Sequence, residues 1–235
     1  MQKKTPIHWG LWLYCILLTL AMGAVLAKSN FIELIQKNIG LYKPPAVTNF
    51  QHEMAGHLRR RDDNTPAGAI LFIGDSITQG MSVADLPQPA ENFGIGGDTS
   101  EFLAQRTKRM HSLDAASHVF LLVGINDLMR QVTGTARHIE EVIKRIPPSV
   151  PIHLISVLPT SEETDISNQA IKQLNKDSFS VCARYQHCKP LDIASHFHKR
   201  GKTDISLYEP DGIHLNAQGY AVLKQAVMER LNADQ

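Results

Sequence analysis

The sequence predicts an α/β domain of three layers, in which a five-stranded parallel sheet lies between two layers of helices. Short apolar runs alternate with stretches of helical periodicity from residue 69 to the C-terminus, a pattern typical of repeated strand–helix units. Three of the runs are almost continuously apolar, as strands are when both faces of a parallel sheet are covered. We therefore expect an α/β/α domain after a distinct N-terminal segment.

The predicted elements alternate along the chain as such a domain requires. Strands are predicted over residues 70–73, 91–93, 119–123, 152–157 and 189–191. Helices are predicted over residues 51–63, 101–111, 138–145, 168–185 and 217–231. Ligands bind such open sheets at the carboxyl ends of the strands. Functional side chains are therefore expected directly after the strands.

The N-terminal segment predicts a transmembrane helix. Residues 9–27 contain no charged side chain, and a helix needs about 20 largely apolar residues to cross a bilayer. Lys3 and Lys4 precede it, which favours a cytoplasmic N-terminus. We expect residues 1–27 to be a single-pass membrane anchor, with the domain extracytoplasmic, in the periplasm. The alternative is a signal peptide cleaved after Ala27, giving a secreted protein.

The remaining chain divides at about residue 50. Residues 28–50 mix charged, apolar and proline residues and are interpreted as a juxtamembrane linker, and residues 51–235 as the domain. The chain carries 24 basic and 23 acidic residues. Nucleic-acid binding needs a concentrated basic face, so nucleic acid is not an expected partner.

The three cysteines leave one question open. Cys15 lies in the apolar segment, whereas Cys182 and Cys188 lie near the end of a predicted helix and the start of a predicted strand. In an oxidising compartment these two residues would form a short-loop disulfide. Two reduced, buried thiols fit the sequence equally well.

Ser76 is the first candidate for a chemical role. It lies in the motif Gly74-Asp75-Ser76, directly after the predicted strand 70–73. A serine at the tip of a buried strand is well placed to act as a nucleophile. The alternative is a helix N-cap, in which the side-chain oxygen accepts a hydrogen bond from a backbone amide.

A nucleophilic serine needs a base, and the base needs an orienting group. Asp211 and His214 stand three residues apart in a loop near the C-terminus, so the carboxylate is able to reach one imidazole nitrogen while the other points outward. His196 and His198 resemble a metal pair, but they lack a third ligand nearby, and zinc usually takes at least three protein ligands. We therefore expect no metal.

Two further segments offer hydrogen-bond donors for an oxyanion. Residues 92–100 contain three glycines, including Gly97, where a backbone N–H is able to approach a ligand closely. Asn126 follows the predicted strand 119–123. The glycine segment lacks the spacing and lysine of a phosphate-binding loop, and Asn126 has the alternative role of a turn or helix cap.

These four segments together resemble the SGNH hydrolase (GDSL esterase/lipase) superfamily. Its blocks match residues 74–76, 96–98, 124–127 and 211–214 in the family's order. The resemblance covers the chain from about Asn64 to the C-terminus. Residues 92–99 also resemble the platelet-activating-factor acetylhydrolase branch and the bacterial thioesterase/lysophospholipase branch.

The resemblance implies a flavodoxin-like fold and a serine esterase without metal or cofactor. It implies Ser76 as nucleophile, His214 as base, Asp211 as its orienting group, and Gly97 and Asn126 as oxyanion-hole donors. The expected substrates are short acyl esters, acetylated glycans or lysolipids, with the membrane as a second partner through the N-terminal helix. An acyltransferase or thioesterase on the same residues is the alternative, and a non-catalytic binding protein ranks last.

Overall fold

The computed structural model describes residues 7–28 and 47–233. The chain divides into two compact units, Met1–Ala46 and Val47–Gln235. The described part of the first unit is one helix, α1 (Ile7–Lys28). The predicted linker over residues 28–50 lies largely outside the described residues, because positions 29–46 are among those not described.

The predicted N-terminal transmembrane helix is wrong. Of the helices in residues 7–28 and 47–233, none is both long and apolar enough to cross a membrane. The predicted binding to a membrane through this helix is therefore not supported either.

The predicted three-layer domain with five parallel strands is confirmed in the second unit. The strand order is β2-β1-β3-β4-β5, and every neighbouring pair is parallel. The strands are β1 (Ile70–Gly74), β2 (Ala90–Gly94), β3 (His118–Leu122), β4 (Ile152–Ile155) and β5 (Cys188–Leu191). A short antiparallel hairpin, β6 (His198–Lys199) and β7 (Lys202–Thr203), was not predicted.

Helices cover both faces of the sheet. They are α2 (Asn49–Asp62), α3 (Ser76–Gln79), α4 (Ser100–Thr107), α5 (Ile125–Arg130), α6 (Thr135–Arg145), α7 (Asn168–Cys182) and α8 (Ala217–Ala233). Successive side chains of a strand point to opposite faces. Leu71 and Ile73 of β1 therefore pack in the core under α2, α4, α6 and α7, and Ile70 and Phe72 in the core under α8.

A disulfide answers the question that the cysteines left open. Cys182 at the end of α7 is bonded to Cys188 at the start of β5. Both residues are buried in the core. The bond joins a helix directly to an edge strand of the sheet.

Candidate active site

Ser76 lies just after the carboxyl end of the inner strand β1. It is the first residue of α3, and the N-cap of this short helix is Asp75, whose Oδ1 accepts a hydrogen bond from Ile77 N–H at 3.0 Å. Asp75, not Ser76, therefore has the N-cap role that was the alternative for Ser76. The Ser76 hydroxyl is left for another partner.

That partner is His214, and the contact continues to Asp211. Ser76 Oγ lies 2.9 Å from His214 Nε2, and His214 Nδ1 lies 2.6 Å from Asp211 Oδ2. When Asp211 accepts a hydrogen bond from His214 Nδ1–H, Nε2 carries a lone pair that faces the serine hydroxyl. The structure therefore brings together three side chains from two distant segments in one hydrogen-bonded chain.

The loop that carries Asp211 and His214 is held by backbone contacts. Asp211 Oδ1 accepts hydrogen bonds from the amides of Ile213 and His214, both at 2.9 Å. Gly212 has a φ of +67°, and a Cβ at this position would lie 2.4 Å from Ser161 Cβ. Partial burial alone would raise the pKa of Asp211, but the hydrogen bonds from His214 and the two amides lower it. The carboxylate is therefore ionised near neutral pH.

Gly97 and Asn126 lie on two segments that the structure joins next to Ser76. A Cβ at Gly96 would lie 4.0 Å from Ser76 Cβ, so the glycine loop packs against the serine. Asn126 Nδ2 donates one hydrogen bond to the carbonyl of Asp98 at 3.0 Å, which leaves its second hydrogen for another acceptor. Gly97 N–H has no hydrogen-bond partner within the described residues. Both segments therefore keep a hydrogen-bond donor that no described residue uses.

A buried ion pair between Arg106 and Asp98 holds the glycine loop in place. Arg106 of α4 donates Nε–H to Asp98 Oδ2 at 2.8 Å, and its Nη2 donates to the carbonyls of Gly74 and Phe93. One guanidinium thus ties the ends of β1 and β2 to the loop that follows β2. Burial raises the pKa of Asp98 to about 6, against the opposing charge of Arg106.

The model of the GDSL-like lipase/acylhydrolase family matches residues 72–222. The chain belongs to this family. The match covers β1 through most of the domain, including every segment described above. The resemblance drawn from the sequence is therefore confirmed, and the chain is a hydrolase that acts on ester bonds.

This GDSL-like acylhydrolase is similar to one curated protein and two solved structures as follows. Platelet-activating factor acetylhydrolase IB subunit alpha2 from Rattus norvegicus is 31% identical over 175 residues, which is 68% of this chain and 74% of that protein. A structure described as a platelet activating factor from Streptococcus pneumonia has a TM-score of 0.74 at 23% identity and covers 87% of this chain and 100% of its own. An acetylxylan esterase from Geobacillus stearothermophilus has a TM-score of 0.55 at 17% identity, covering 70% and 95%. Both structures share the fold.

A cavity of about 700 Å³ opens beside Asp211 in this GDSL-like acylhydrolase. Three loops and helix ends form its walls, from α5, from residues 161–167 and from residues 210–213. Its lining carries the hydroxyl groups of Ser161, Thr164 and Ser167 together with apolar side chains such as Ile213. The wall of this cavity is thus partly polar and partly apolar.

His196 and His198, considered as a metal pair, do not line the cavity beside Asp211. His196 is in a short 3₁₀ helix and His198 begins β6. His198 Nδ1 lies 2.8 Å from the carbonyl of Ala194. Across the part of the chain that the structure describes, no three His, Cys, Asp or Glu side chains are grouped to hold a metal ion.

Sequence reasoning missed two glutamines that hold the glycine loop of this acylhydrolase. Gln79 Oε1 accepts a hydrogen bond from Gly96 N–H at 2.6 Å. Gln51 Nε2 donates to the carbonyl of Gly97 at 2.9 Å. The spacing of Thr48 and Gln51 is that of a capping box, a signal that predicts the start of α2 but not the contact with Gly97.

Asp75 is the most strongly perturbed acid of the site. It is fully buried, and its Oδ2 has no hydrogen-bond partner within residues 7–28 and 47–233. Burial raises the pKa of Asp75 to about 8, with smaller contributions from the charges of Asp98 and Asp127. The folded acylhydrolase therefore binds a proton at Asp75 that the unfolded chain releases above about pH 4.

We expect this proton to make stability depend on pH. Between about pH 4 and pH 8 the folded state binds more protons than the unfolded state, so the free energy of unfolding falls as pH rises, by up to about 1.4 kcal/mol per pH unit. Asp75→Asn keeps a neutral side chain of the same shape and removes this dependence. Denaturant titrations between pH 6.5 and pH 8, above the pKa of Asp98, measure the slope.

The exposed Asp63 provides the control for this prediction. Asp63→Asn is expected to keep the slope of the parent chain. Equal slopes for the parent and Asp75→Asn would show that Asp75 is already ionised in the folded protein at these pH values.

Proposed function

We propose that this GDSL-like acylhydrolase is a serine esterase that hydrolyses short acyl esters of polar alcohols. Ser76 is the nucleophile, His214 the base, and Asp211 the group that orients the imidazole. The single observation that carries the proposal is the continuous chain of contacts from Asp211 Oδ2 through the His214 ring to Ser76 Oγ, at 2.6 and 2.9 Å. Such a chain is the arrangement that activates a serine hydroxyl.

In the first half of the reaction, Ser76 Oγ bonds to the acyl carbon while its proton moves to His214 Nε2. The carbonyl oxygen becomes an oxyanion, to which Gly97 N–H, Asn126 Nδ2–H and Ser76 N–H donate hydrogen bonds in this proposal. Ser76 N–H is available because the first amides of a helix have no intrahelical acceptor. The His214 imidazolium, stabilised by Asp211, then protonates the leaving alcohol and leaves an acyl group on Ser76.

In the second half, water takes the place of the alcohol. His214 Nε2 accepts a proton from the water, whose oxygen bonds to the acyl carbon and regenerates the same oxyanion. Collapse of this intermediate breaks the bond to Ser76 Oγ, which recovers the proton from His214. The products are a carboxylic acid and the free enzyme, and every proton is carried by the chain's own residues.

The wall of the cavity beside Asp211 supports a polar alcohol group. The cavity of about 700 Å³ beside Asp211 is lined by hydroxyl and carboxylate groups as well as apolar side chains. A polar alcohol, such as the sugar of an acetylated glycan, suits this wall better than a long-chain lysolipid does.

The names of the relatives agree with this substrate class. The rat relative is called an acetylhydrolase, and the Geobacillus stearothermophilus structure is that of an acetylxylan esterase. Both names describe removal of an acetyl group. They support the acyl group proposed here, whereas the alcohols that they name differ from each other.

A series of p-nitrophenyl esters from acetate to palmitate, hydrolysed by the full chain, tests the proposal. We expect kcat/KM to be greatest for acetate or propionate and to fall by at least about tenfold by octanoate, because the acyl group proposed from the acetylhydrolase relative is short. Hydrolysis of acetylated xylo-oligosaccharides and of a lysophospholipid then compares the two alcohols. A kcat/KM that rises with chain length, with release of fatty acid from the lysophospholipid, would contradict the proposed substrate class.

A further inference from the structure

Helix α2 precedes the residues that match the family model, 72–222, yet it contacts the proposed oxyanion hole. Gln51, in its first turn, is completely buried. Its Nε2 donates a hydrogen bond to the carbonyl of Gly97 at 2.9 Å. Its Oε1 accepts from Thr48 N–H at 2.9 Å and lies 3.0 Å from Thr48 Oγ1. The side chain is thus fixed at one end by its own helix and holds a loop at the other.

The loop that Gln51 holds has little conformational rigidity of its own. Gly97 has a φ of +75°. Glycine adopts positive and negative φ values about equally readily, so its own backbone does not fix this conformation. Its neighbours are held by other contacts: Gly96 N–H by Gln79 Oε1 at 2.6 Å, Asp98 N–H by the carbonyl of Ile95 at 3.1 Å, and the Asp98 carbonyl by Asn126. The Gln51 contact supplies the remaining restraint, on the carbonyl of Gly97 itself.

These contacts leave the amide of Gly97 unpaired. Gly97 N–H has no hydrogen-bond partner within the described residues, and it is the donor that the proposed mechanism uses. A pre-organised donor stabilises a transition state because it does not have to reorient as the charge forms. A contact that fixes the carbonyl of Gly97 restricts the rotation of the glycine, and so restricts the direction of this N–H.

We propose that Gln51 is a positioning residue for the oxyanion hole, through which α2 becomes part of the catalytic apparatus. The inference rests on the proposed function. Gln51 touches no reacting atom, and its effect is exerted through Gly97 and, across the Asp98 carbonyl, Asn126. A misplacement of about 1 Å in a catalytic group is able to cost about 10²-fold in rate, so loss of the contact is expected to lower kcat without weakening substrate binding.

Gln51→Glu tests the two hydrogen bonds of the side chain separately. Glutamate keeps an acceptor for the Thr48 amide but has no N–H to donate to Gly97. Thr48→Ala is the matched control, because it removes the hydroxyl of the cap and leaves the Gln51–Gly97 contact intact. Both variants weaken the start of α2, whereas only the first releases the loop. Gln51→Met, which is uncharged and of similar length, provides a second test if buried glutamate prevents folding.

The experiment measures kcat and KM on p-nitrophenyl acetate and the inhibition constant of a trifluoromethyl ketone, whose adduct with serine carries an oxyanion. For Gln51→Glu and Gln51→Met we expect kcat to fall about 10- to 100-fold, KM to stay within about twofold, and inhibitor affinity to fall in proportion to kcat. Thr48→Ala is expected to lower the melting temperature while kcat and inhibitor affinity stay within about twofold. A purely structural role would affect the control and the test variants alike.

Two results overturn the inference in different ways. Folded Gln51 variants with parental kcat and inhibitor affinity would show that α2 does not position the loop. Asn126→Ala provides the reference for the oxyanion hole, with an expected loss of about 10²- to 10³-fold in kcat. If Asn126→Ala has no effect while the parent hydrolyses the ester, the proposed oxyanion hole itself is wrong, and the role of Gln51 is wrong with it.

Discussion

Ser76→Ala is expected to abolish ester hydrolysis by the full chain, with a fall in kcat on the order of 10⁶-fold. The hydroxyl is the atom that would bond to the acyl carbon, and no other group in the site replaces it. Its side-chain contact is with His214, whereas the capping bond of α3 is made by Asp75. The variant should therefore keep the fold and its melting temperature while turnover disappears.

Ser149→Ala is the matched control for this prediction. Ser149 is exposed and lies just before β4, at the amino end of the strands and thus at the opposite edge of the sheet from Ser76. It should retain parental kcat/KM on p-nitrophenyl acetate. Residual hydrolysis by Ser76→Ala at the parental rate would mean that another group attacks the ester.

His214→Ala is expected to cost about as much as Ser76→Ala, because a serine hydroxyl without a base is a weak nucleophile. The two residues act as a unit, so the double variant should be no slower than either single one. Asp211→Asn is expected to lose less, about 10⁴-fold in kcat, since it disturbs the tautomer of the imidazole without removing the base. Single-turnover assays of the three variants and the double variant measure these values.

Exposed His196 serves as the control, and His196→Ala should leave kcat unchanged. Multiplicative losses in the Ser76→Ala, His214→Ala double variant would contradict the proposed pairing. In that case the 2.9 Å contact between the two side chains would have no part in the reaction.

Much of the fold was predictable because the central strands are buried on both faces. A strand such as β3 shows this burial as an uninterrupted apolar run, and its observed bounds differ from the predicted ones by one residue at each end. The five expected site residues follow strands or lie in the last loop, so the carboxyl edge of the sheet explains why they meet. The prediction followed from local patterns that the structure preserves.

The supporting contacts were not predictable, because they join residues that are far apart in the sequence. Gln51 and Gly97 are separated by 46 positions, and no periodicity links a helix start to a glycine loop. Asp75 was considered only as a neighbour of Ser76, although it caps α3 and is fully buried. The N-terminal segment was misread because an uncharged run by itself does not establish a membrane span. The disulfide likewise depends on how α7 approaches β5.

The central claim is that Ser76 is the nucleophile, and covalent labelling tests it most directly. The full chain is treated with a fluorophosphonate, in which a serine oxygen bonds to phosphorus and fluoride leaves, and the adduct is located by peptide mass spectrometry. We expect one adduct per chain, on Ser76, together with loss of esterase activity, and no adduct in Ser76→Ala. An active chain that stays unlabelled at Ser76, or that is inactivated by an adduct elsewhere, would contradict the assignment.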